Sequence, residues 1–195
     1  MTEKPQGVKN RIVNAAWQLF YEKGYNDTTV DEIIERSHTS KGSFYYYFKS
    51  KDELLNSLSD ILDEYYEELE QKMDESMDSF SKLLFLNYEA HKMIEDHMRL
   101  DILASLYSSQ LVSLGFRNLL DQNRKYYKLI QSVMEEGIAK GELNDDMSAS
   151  EMTRYYSMCE RALISDWCLN NGSQSLRSYS ERYMPMMLEH FKKKN

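Results

Sequence analysis

The apolar residues of this chain recur with the 3.6-residue period of α-helices from one end to the other. Near the N-terminus, Ile12, Ala15, Ala16, Leu19 and Phe20 repeat at i, i+3, i+4, i+7 and i+8. This spacing is typical of a helix that presents one face to a core. No segment shows the alternation of apolar and polar residues that marks a half-buried strand. The pattern predicts an all-α protein of about nine helices.

Glycines and capping residues divide the pattern into helices. The predicted helices span about residues 8–23, 30–36, 41–48, 51–77, 80–96, 98–112, 116–140, 149–170 and 173–191. Gly24 and Gly141 are expected to end helices, because glycine readily adopts the left-handed conformation of a C-terminal cap. Ser50 with Glu53, and Ser148 with Glu151, have the spacing of capping boxes. Pro185 is expected to kink or split the last helix.

Residues 29–51 predict two short helices joined by a tight turn. Thr29 and Glu32 have the spacing of a capping box, and Ser40 is a suitable N-cap for the second helix. His38 lies in the turn, and histidine tolerates a left-handed backbone better than most residues other than glycine. Two helices joined in this way form a helix-turn-helix, whose second helix suits the major groove of DNA.

The second of these helices has two chemically different sides. Phe44 and Phe48 are four residues apart, so they point together towards a core. Ser43, Tyr46 and Tyr47 are left on or near the other side. We therefore expect the phenylalanines to anchor the helix from behind while hydroxyl groups face outwards.

The same stretch resembles the DNA-binding signature of the TetR (tetracycline-repressor-like) family of bacterial transcriptional regulators, over residues 9–58. The shared features are Gly24-Tyr25, Thr29-Val30, Ile33, Ser40-Lys41-Gly42-Ser43, the aromatic run Tyr45 to Phe48, and Lys51 before Leu54. The chain departs from the family at His38-Thr39, where glycine and an apolar residue are usual, and at Asp31, where a basic or polar residue is common. The resemblance implies a regulator that binds a small molecule in its helical body and then releases DNA.

The candidate DNA contacts are hydroxyl, lysine and glycine positions around the second helix. The helix N-terminus and its backbone N–H groups favour phosphate, and glycine permits close approach of the backbone. Tyrosine hydroxyls can donate to phosphate oxygens, or the rings can pack on thymine methyl groups. The predicted contacts are Thr29, Ser40, Lys41, Gly42, Ser43, Tyr45, Tyr46, Tyr47, Lys49 and Lys51. Tyr45 has the alternative of filling the core beside Phe44.

Charge is distributed unevenly along the chain, although the total is −8. Residues 1–51 contain 8 Lys and Arg against 6 Asp and Glu, for a charge of +2, and residues 52–195 contain 16 against 26, for −10. This asymmetry favours an N-terminal DNA contact and a larger acidic body. We therefore predict a DNA-binding domain over residues 1–50 and an effector-binding and dimerisation domain over residues 51–195, with the helix at 51–77 as connector.

The body is rich in tyrosine and methionine, which suit an adaptable pocket with hydroxyl donors. The candidate ligand-binding residues are Tyr88, Met93, Tyr107, Tyr126, Tyr127, Met134, Tyr155, Tyr156 and Trp167. Each of them has the alternative of being an ordinary core residue. His91 and His97 are six residues apart and do not face each other on a helix, so we interpret them as polar or core residues.

A two-fold dimer is expected, because one short recognition helix reads too few base pairs to be specific. The resemblance places the interface on the last two long helices, where apolar residues occur on more than one face. The candidate interface residues are Met158, Ile164, Trp167, Met184, Met187 and Phe191. Excess apolar surface of this kind usually marks a partner.

Several function classes find no support in the sequence. It contains no Ser/His/Asp or Cys/His spacing, no glycine-rich phosphate loop and no cluster of metal ligands, so neither an enzyme nor a cofactor is predicted. No apolar run approaches the roughly 20 residues that span a bilayer, and a cytoplasmic location is expected. A DNA-binding regulator controlled by a protein partner, or by no effector, remains the alternative function.

Overall fold

The computed structural model describes residues 5–112 and 117–193, and most of the chain in these ranges is helical. The α-helices are α1 (Pro5–Lys23), α2 (Val30–Arg36), α3 (Lys41–Tyr47), α4 (Lys51–Leu55), α5 (Ser57–Lys72), α6 (Ser79–His97), α7 (Leu100–Val112), α8 (Lys125–Lys140), α9 (Ala149–Leu169) and α10 (Leu176–Leu188). Short 3-10 helices span Asn118–Leu120 and Glu189–Phe191. Within the described ranges the extended pairing is limited to one isolated bridge, between Leu143 and Lys192. The all-α prediction is confirmed.

The first of two compact units comprises Met1–Asp60 and Arg99–Leu119. Its core contains the predicted apolar face of α1, with Ile33 of α2 and Phe44 of α3 also fully buried. The unit is larger than the predicted 1–50 domain because α4 and α7 pack together within it. The backbone N–H of Tyr25 donates to the Asp101 carboxylate at 3.1 Å, which ties the end of α1 to the start of α7.

The second unit comprises Ile61–Met98 and Leu120–Asn195. In it α6 packs against α8 and α10, and α9 packs against α8 and α10. Fully buried side chains such as Leu83, Ile130 and Tyr156 occupy the space among these helices. None of the described helices in either unit is both long enough and apolar enough to cross a membrane.

The predicted single helix at 51–77 is wrong in two respects. The structure interrupts it at Asn56, whose N–H binds the carbonyls of Glu53 and Leu54, and it ends α5 at Lys72. The Ser57 hydroxyl donates to the Leu54 carbonyl at 2.6 Å and accepts from the Trp17 indole at 2.8 Å. Serine side chains that bind nearby backbone compete with regular helical hydrogen bonds, and apolar periodicity alone does not register that competition.

The predicted helix at 116–140 starts later than expected. Its predicted beginning at Phe116 lies outside the described residues, and α8 begins at Lys125. Before α8, the Asp121 carboxylate accepts from the backbone N–H of Asn123 at 2.9 Å. This is the local hydrogen bond with which aspartate stabilises a turn, and it explains the later start.

The predicted caps at Gly24, Gly141 and Ser148 are present. Gly24 and Gly141 have φ values of 97° and 70°, as left-handed caps require. Ser148 and Glu151 form the expected reciprocal capping box. Pro185 does not split the last helix, because α10 continues through it to Leu188.

Candidate nucleic-acid interface

The helix-turn-helix forms by the local interactions that its sequence predicts. Thr29 and Glu32 make a capping box at the start of α2, and the Ser40 hydroxyl accepts from the Ser43 N–H at 3.0 Å at the start of α3. His38, in the turn, has a φ of 51°, which is the left-handed conformation. Short helices of this kind are not stable alone, so their position depends on packing against α1.

Packing fixes which side of α3 faces outwards. Phe44 and Phe48 are buried, with ring centroids 5.9 Å apart. Tyr46 leaves 80% of its surface exposed, and Tyr45 leaves 48% exposed while its ring edge contacts Phe44. Tyr47 is half-buried, with its ring 4.8 Å from that of Tyr46. The predicted division of α3 into an anchored and an exposed side is confirmed, and Tyr45 does not fill the core.

The N-terminal end of α3 presents small polar groups. Ser40, Lys41 and Gly42 are exposed, and Ser43 is half-buried. The nearest atom to a side chain added at Gly42 would be the Ser40 hydroxyl, at 3.8 Å, so backbone amides here are open to close approach. Chemically, this end can donate hydrogen bonds to phosphate oxygens.

Lys41 and Lys49 are the exposed lysines at the two ends of α3. The Lys41 ammonium lies 3.6 Å from the Asp31 carboxylate, and both side chains are more than two-thirds exposed. Ion pairs of this type contribute little to stability and are easily exchanged. The Asp31 position that departs from the family pattern therefore faces Lys41, and a phosphate can take the place of its carboxylate.

Two other cations near α2 are engaged by carboxylates. Lys23 pairs with Glu32 at 2.5 Å, and Arg36 pairs with Glu22 at 2.8 Å. The hydrogen bond from Lys23, followed by those from Thr29, lowers the pKa of Glu32 to about 2. The positive charge that α3 offers to DNA is consequently concentrated at Lys41 and Lys49.

Lys51 does not have the exposed position that its predicted phosphate contact requires. Its ammonium donates to the carbonyls of Tyr25 and Thr28 at 2.7 and 2.8 Å, and it lies 4.2 Å from the centre of the Tyr25 ring. Burial lowers the pKa of Lys51. Two of its three donors hold the loop between α1 and α2, so at most one is left for DNA.

The predicted capping box of Ser50 and Glu53 is also wrong. Ser50 is the N-cap of α4, but its side chain makes no capping hydrogen bond. Glu53 instead accepts from the backbone N–H of Lys49 at 2.7 Å. Because α3 ends only three residues earlier, the chain enters α4 in an extended conformation, and the Glu53 carboxylate reaches the amide one residue further back.

The candidate ligand-binding residues do not all come together. Tyr107, on α7, belongs to the first unit, whereas the other eight belong to the second. Tyr126, Tyr127, Met134, Tyr156 and Trp167 are buried there, and Tyr88, Met93 and Tyr155 are half-buried. The Trp167 indole donates to the Gln174 carbonyl at 2.8 Å, and the Tyr155 hydroxyl donates to the Met187 carbonyl at 3.3 Å.

The sequence interpretation missed a polar group in the core of the second unit. Glu160 is buried between α8 and α9 and accepts hydrogen bonds from Tyr66 and Tyr126. Asn87 and His91 are buried beside it on α6. Their spacing could have predicted this burial. Glu160 lies eight residues after Met152, and Asn87 lies four residues after Leu83, so both share the core-facing side of their helices with an apolar residue. In the described part of the chain no three His, Cys, Asp or Glu side chains are grouped to hold a metal ion.

Four of the six candidate interface residues are buried within their own unit. Ile164, Trp167, Met184 and Phe191 fill the core among α6, α9 and α10, so they cannot also form an exposed face. Met158 is exposed on α9, and Met187 is half-buried. Leu169 and Met186 are large apolar residues with 81% and 71% exposure. The helical period predicts which residues share a face of α9 or α10, but it does not predict whether that face points into the core or towards solvent.

Comparison with known proteins identifies relatives of this fold. Residues 12–58 match the family model of bacterial regulatory proteins, tetR family. The chain is 22% identical over 180 residues to the fatty acid metabolism regulator protein of Bacillus subtilis, covering 91% of this chain and 92% of that one. It is 22% identical to the transcriptional repressor KstR2 of Mycolicibacterium smegmatis, covering 95% and 91%. The crystal structure of Thermus thermophilus FadR, a TetR-family repressor in complex with lauroyl-CoA, is similar with a TM-score of 0.81 at 22% identity, covering 95% and 96%.

Proposed function

We propose that this chain, which belongs to the tetR family of bacterial regulatory proteins, represses transcription as a homodimer that a small-molecule effector releases from its operator. Its helix-turn-helix makes it a DNA-binding regulator of transcription. The observation that carries the proposal is the orientation of α3, which buries Phe44 and exposes Lys41 and Tyr46. A regulator of this kind acts where the chromosome lies, so we place it in the cytoplasm, and its relatives favour regulation over enzymatic activity.

The homodimer is supported by apolar surface on the last two long helices. Met158 and Leu169 on α9 and Met186 on α10 are exposed although they are large and apolar. A second copy would cover such side chains and remove them from water. A two-fold dimer would also place two α3 helices in successive major grooves, about 34–36 Å apart along the DNA.

The effector is proposed to bind in the second unit, which contains most of the tyrosine and methionine candidates. Thermus thermophilus FadR holds lauroyl-CoA, and that supports a small-molecule effector for a chain of the same fold. The mechanism is a population shift. The protein has a DNA-binding conformation and a second conformation in which the two α3 helices have a different spacing. An effector that binds the second conformation more tightly lowers the affinity for DNA. The largest possible decrease is the ratio of the effector's affinities for the two conformations.

The decisive test is the combined variant Lys41→Ala and Tyr46→Ala, measured by electrophoretic mobility shift on a duplex selected from a random pool. If each helix-turn-helix of the dimer loses about 1.4 kcal/mol of binding free energy, the dimer binds DNA about 100-fold more weakly. The slope of log affinity against log salt should also fall by roughly 0.9 for each phosphate that the variant no longer neutralises. Lys193→Ala, which removes one exposed charge outside the helix-turn-helix, is the matched control. Unchanged DNA affinity in a folded, dimeric double variant would refute the proposed interface.

The alternative is a regulator that takes a protein partner or has no effector. A panel of metabolites and drugs tested by thermal shift separates the two, because an effector at 100 times its Kd stabilises the protein by about 2.7 kcal/mol. We expect a stabilising compound to weaken binding to the selected duplex. A compound that stabilises the protein but leaves DNA affinity unchanged would contradict the release mechanism.

A further inference from the structure

A buried polar cluster lies at the centre of the second unit and is built from five helices. We call it the Glu160 cluster, and its members are Tyr66 of α5, Asn87 and His91 of α6, Tyr126 of α8, Glu160 of α9 and Ser180 of α10. Each of these residues is at least 91% buried. Burial of so many polar groups costs free energy unless every group has a partner.

The Glu160 carboxylate accepts hydrogen bonds only from neutral donors. Asn87 Nδ2 lies 3.0 Å and the Tyr66 hydroxyl 3.3 Å from the same carboxylate oxygen, and the Tyr126 hydroxyl donates to the other. Among the described residues, none of the ion pairs includes Glu160. Desolvation raises the pKa of Glu160, and the hydrogen bonds from Tyr126, Asn87, Tyr66 and Tyr156 oppose that rise.

The neighbouring basic group does not supply the missing positive charge. His91 Nδ1 lies 2.6 Å from the Ser180 hydroxyl, and its Nε2 lies 3.4 Å from Asn87 Nδ2. Because Asn87 Nδ2 can only donate, His91 Nε2 accepts and the ring is neutral. Burial lowers the pKa of His91 to about 3, in agreement with this assignment.

The amide of Asn87 leaves one acceptor without a partner. Its two N–H donors face Glu160 and His91, and its carbonyl oxygen is buried with no hydrogen-bond partner. Rotating the amide by 180° would direct that oxygen at the carboxylate, so the orientation is determined by the neighbours. The cluster therefore contains an unsatisfied acceptor next to an acid that no cation neutralises.

We propose that the Glu160 cluster recognises an effector through a positively charged nitrogen, an inference that rests on the proposed function of the second unit as an effector domain. The ammonium group would pair with the Glu160 carboxylate and donate to the free oxygen of Asn87. The rings of Tyr66 and Tyr126, 4.9 Å apart, supply aromatic surface that attracts cations. A purely apolar chain would satisfy neither acceptor.

Entry of the effector requires the tyrosines to move. In the structure the hydroxyls of Tyr66 and Tyr126 occupy positions on Glu160 that the cation would take. The effector would displace at least one of them, which couples binding to a rearrangement of α5 and α8. The resulting conformation is the kind of minor state that a ligand makes dominant.

The test uses pairs of probes that match in shape and differ in charge. Decylammonium is compared with decanoate, and benzylammonium with benzoate, by calorimetric titration of the full-length protein at 0.15 and 0.5 M salt. We expect at least one cation to bind at least tenfold more tightly than its matched anion. Absence of binding by both cations, or equal or tighter binding of both anions, overturns the inference.

Two variants separate recognition from a merely structural role. Glu160→Gln keeps the shape and should abolish the preference for the cation, while Glu181→Gln, which removes an exposed charge from α10, should leave it intact. Tyr126→Phe removes a hydroxyl that competes for Glu160 and should tighten cation binding several-fold. If Glu160→Gln does not fold, the Tyr126→Phe result decides, since unchanged or weaker cation binding would contradict the inference.

The DNA assay distinguishes this inference from the proposed function. If a cation binds through Glu160 but the selected duplex stays bound, the cation site stands and release by an effector fails. If an acyl-CoA releases the duplex while neither cation binds, the proposed function stands and the cation site is wrong.

Discussion

Phe44→Ala is expected to lower the free energy of unfolding of the first unit by about 3–5 kcal/mol, which is the usual cost of truncating a buried phenylalanine. The Phe44 side chain is fully buried, and its ring contacts both Phe48 and Tyr45. Because α3 has only seven residues, it depends on this contact for its position. The variant should therefore lose DNA binding together with stability.

The measurement follows urea unfolding through the fluorescence of Trp17, which lies in the first unit. The chain has two tryptophans, so the variant, the control and the reference protein all carry Trp167→Phe, which leaves Trp17 as the reporter. Tyr46→Ala is the matched control, because its side chain is on the same helix but mostly exposed. It should change stability by less than about 0.5 kcal/mol. A Phe44→Ala protein as stable as the control would mean that α3 is not anchored as the structure indicates.

Gly137→Val should destabilise the second unit by about 3 kcal/mol, at the upper end of the usual cost of overpacking. Gly137 is buried in α8, and a Cβ there would lie 2.6 Å from Leu143 Cγ and 2.7 Å from Ser79 Cβ. Both atoms are close to their backbones and cannot move aside without shifting the loop after α8 or the start of α6. The clash outweighs the gain in helix propensity of at most about 1 kcal/mol.

Unfolding of this variant is followed through Trp167 in a Trp17→Phe background. The matched control is Gly42→Ala in α3, followed through Trp17 in the Trp167→Phe background, where the nearest atom to the added carbon is 3.8 Å away. There the helix propensity gain is unopposed, so stability of the first unit should rise by about 0.5–1 kcal/mol. Equal stabilisation by Gly137→Val would contradict the close packing of α8 on Leu143 and Ser79.

Sequence patterns predicted the buried and exposed sides of α3 more completely than the packing of the body. The sidedness of α3 followed from Phe44 and Phe48 alone, because residues four apart share a helix face. Lys51 was misassigned because its sequence position gives no information about the carbonyls of Tyr25 and Thr28, which meet its ammonium only after folding. The sequence does not distinguish a lysine that contacts a DNA phosphate from one that donates hydrogen bonds to the carbonyls of a loop.

The body was harder to interpret because its helices are apolar on several faces. Met158 and Met184 occur on helices that both carry apolar residues all round, yet one is exposed and the other fully buried. Which face of α9 or α10 turns inwards depends on α6 and α8, and no local pattern encodes that arrangement. The same applies to Tyr107, which lies in the first unit although the other eight candidate ligand-binding residues lie in the second.

The sequence by itself determined the helical class, most helix ends, and the anchored and exposed sides of α3. These features depend on contacts between residues a few positions apart, such as caps, turns and i, i+4 pairs. Only the tertiary structure decided that Lys51 holds a loop, that α4 and α5 are separate helices, and that Glu160, Asn87 and His91 meet in one buried cluster. Those features join residues tens of positions apart, and their partners are chosen by the packing of whole helices.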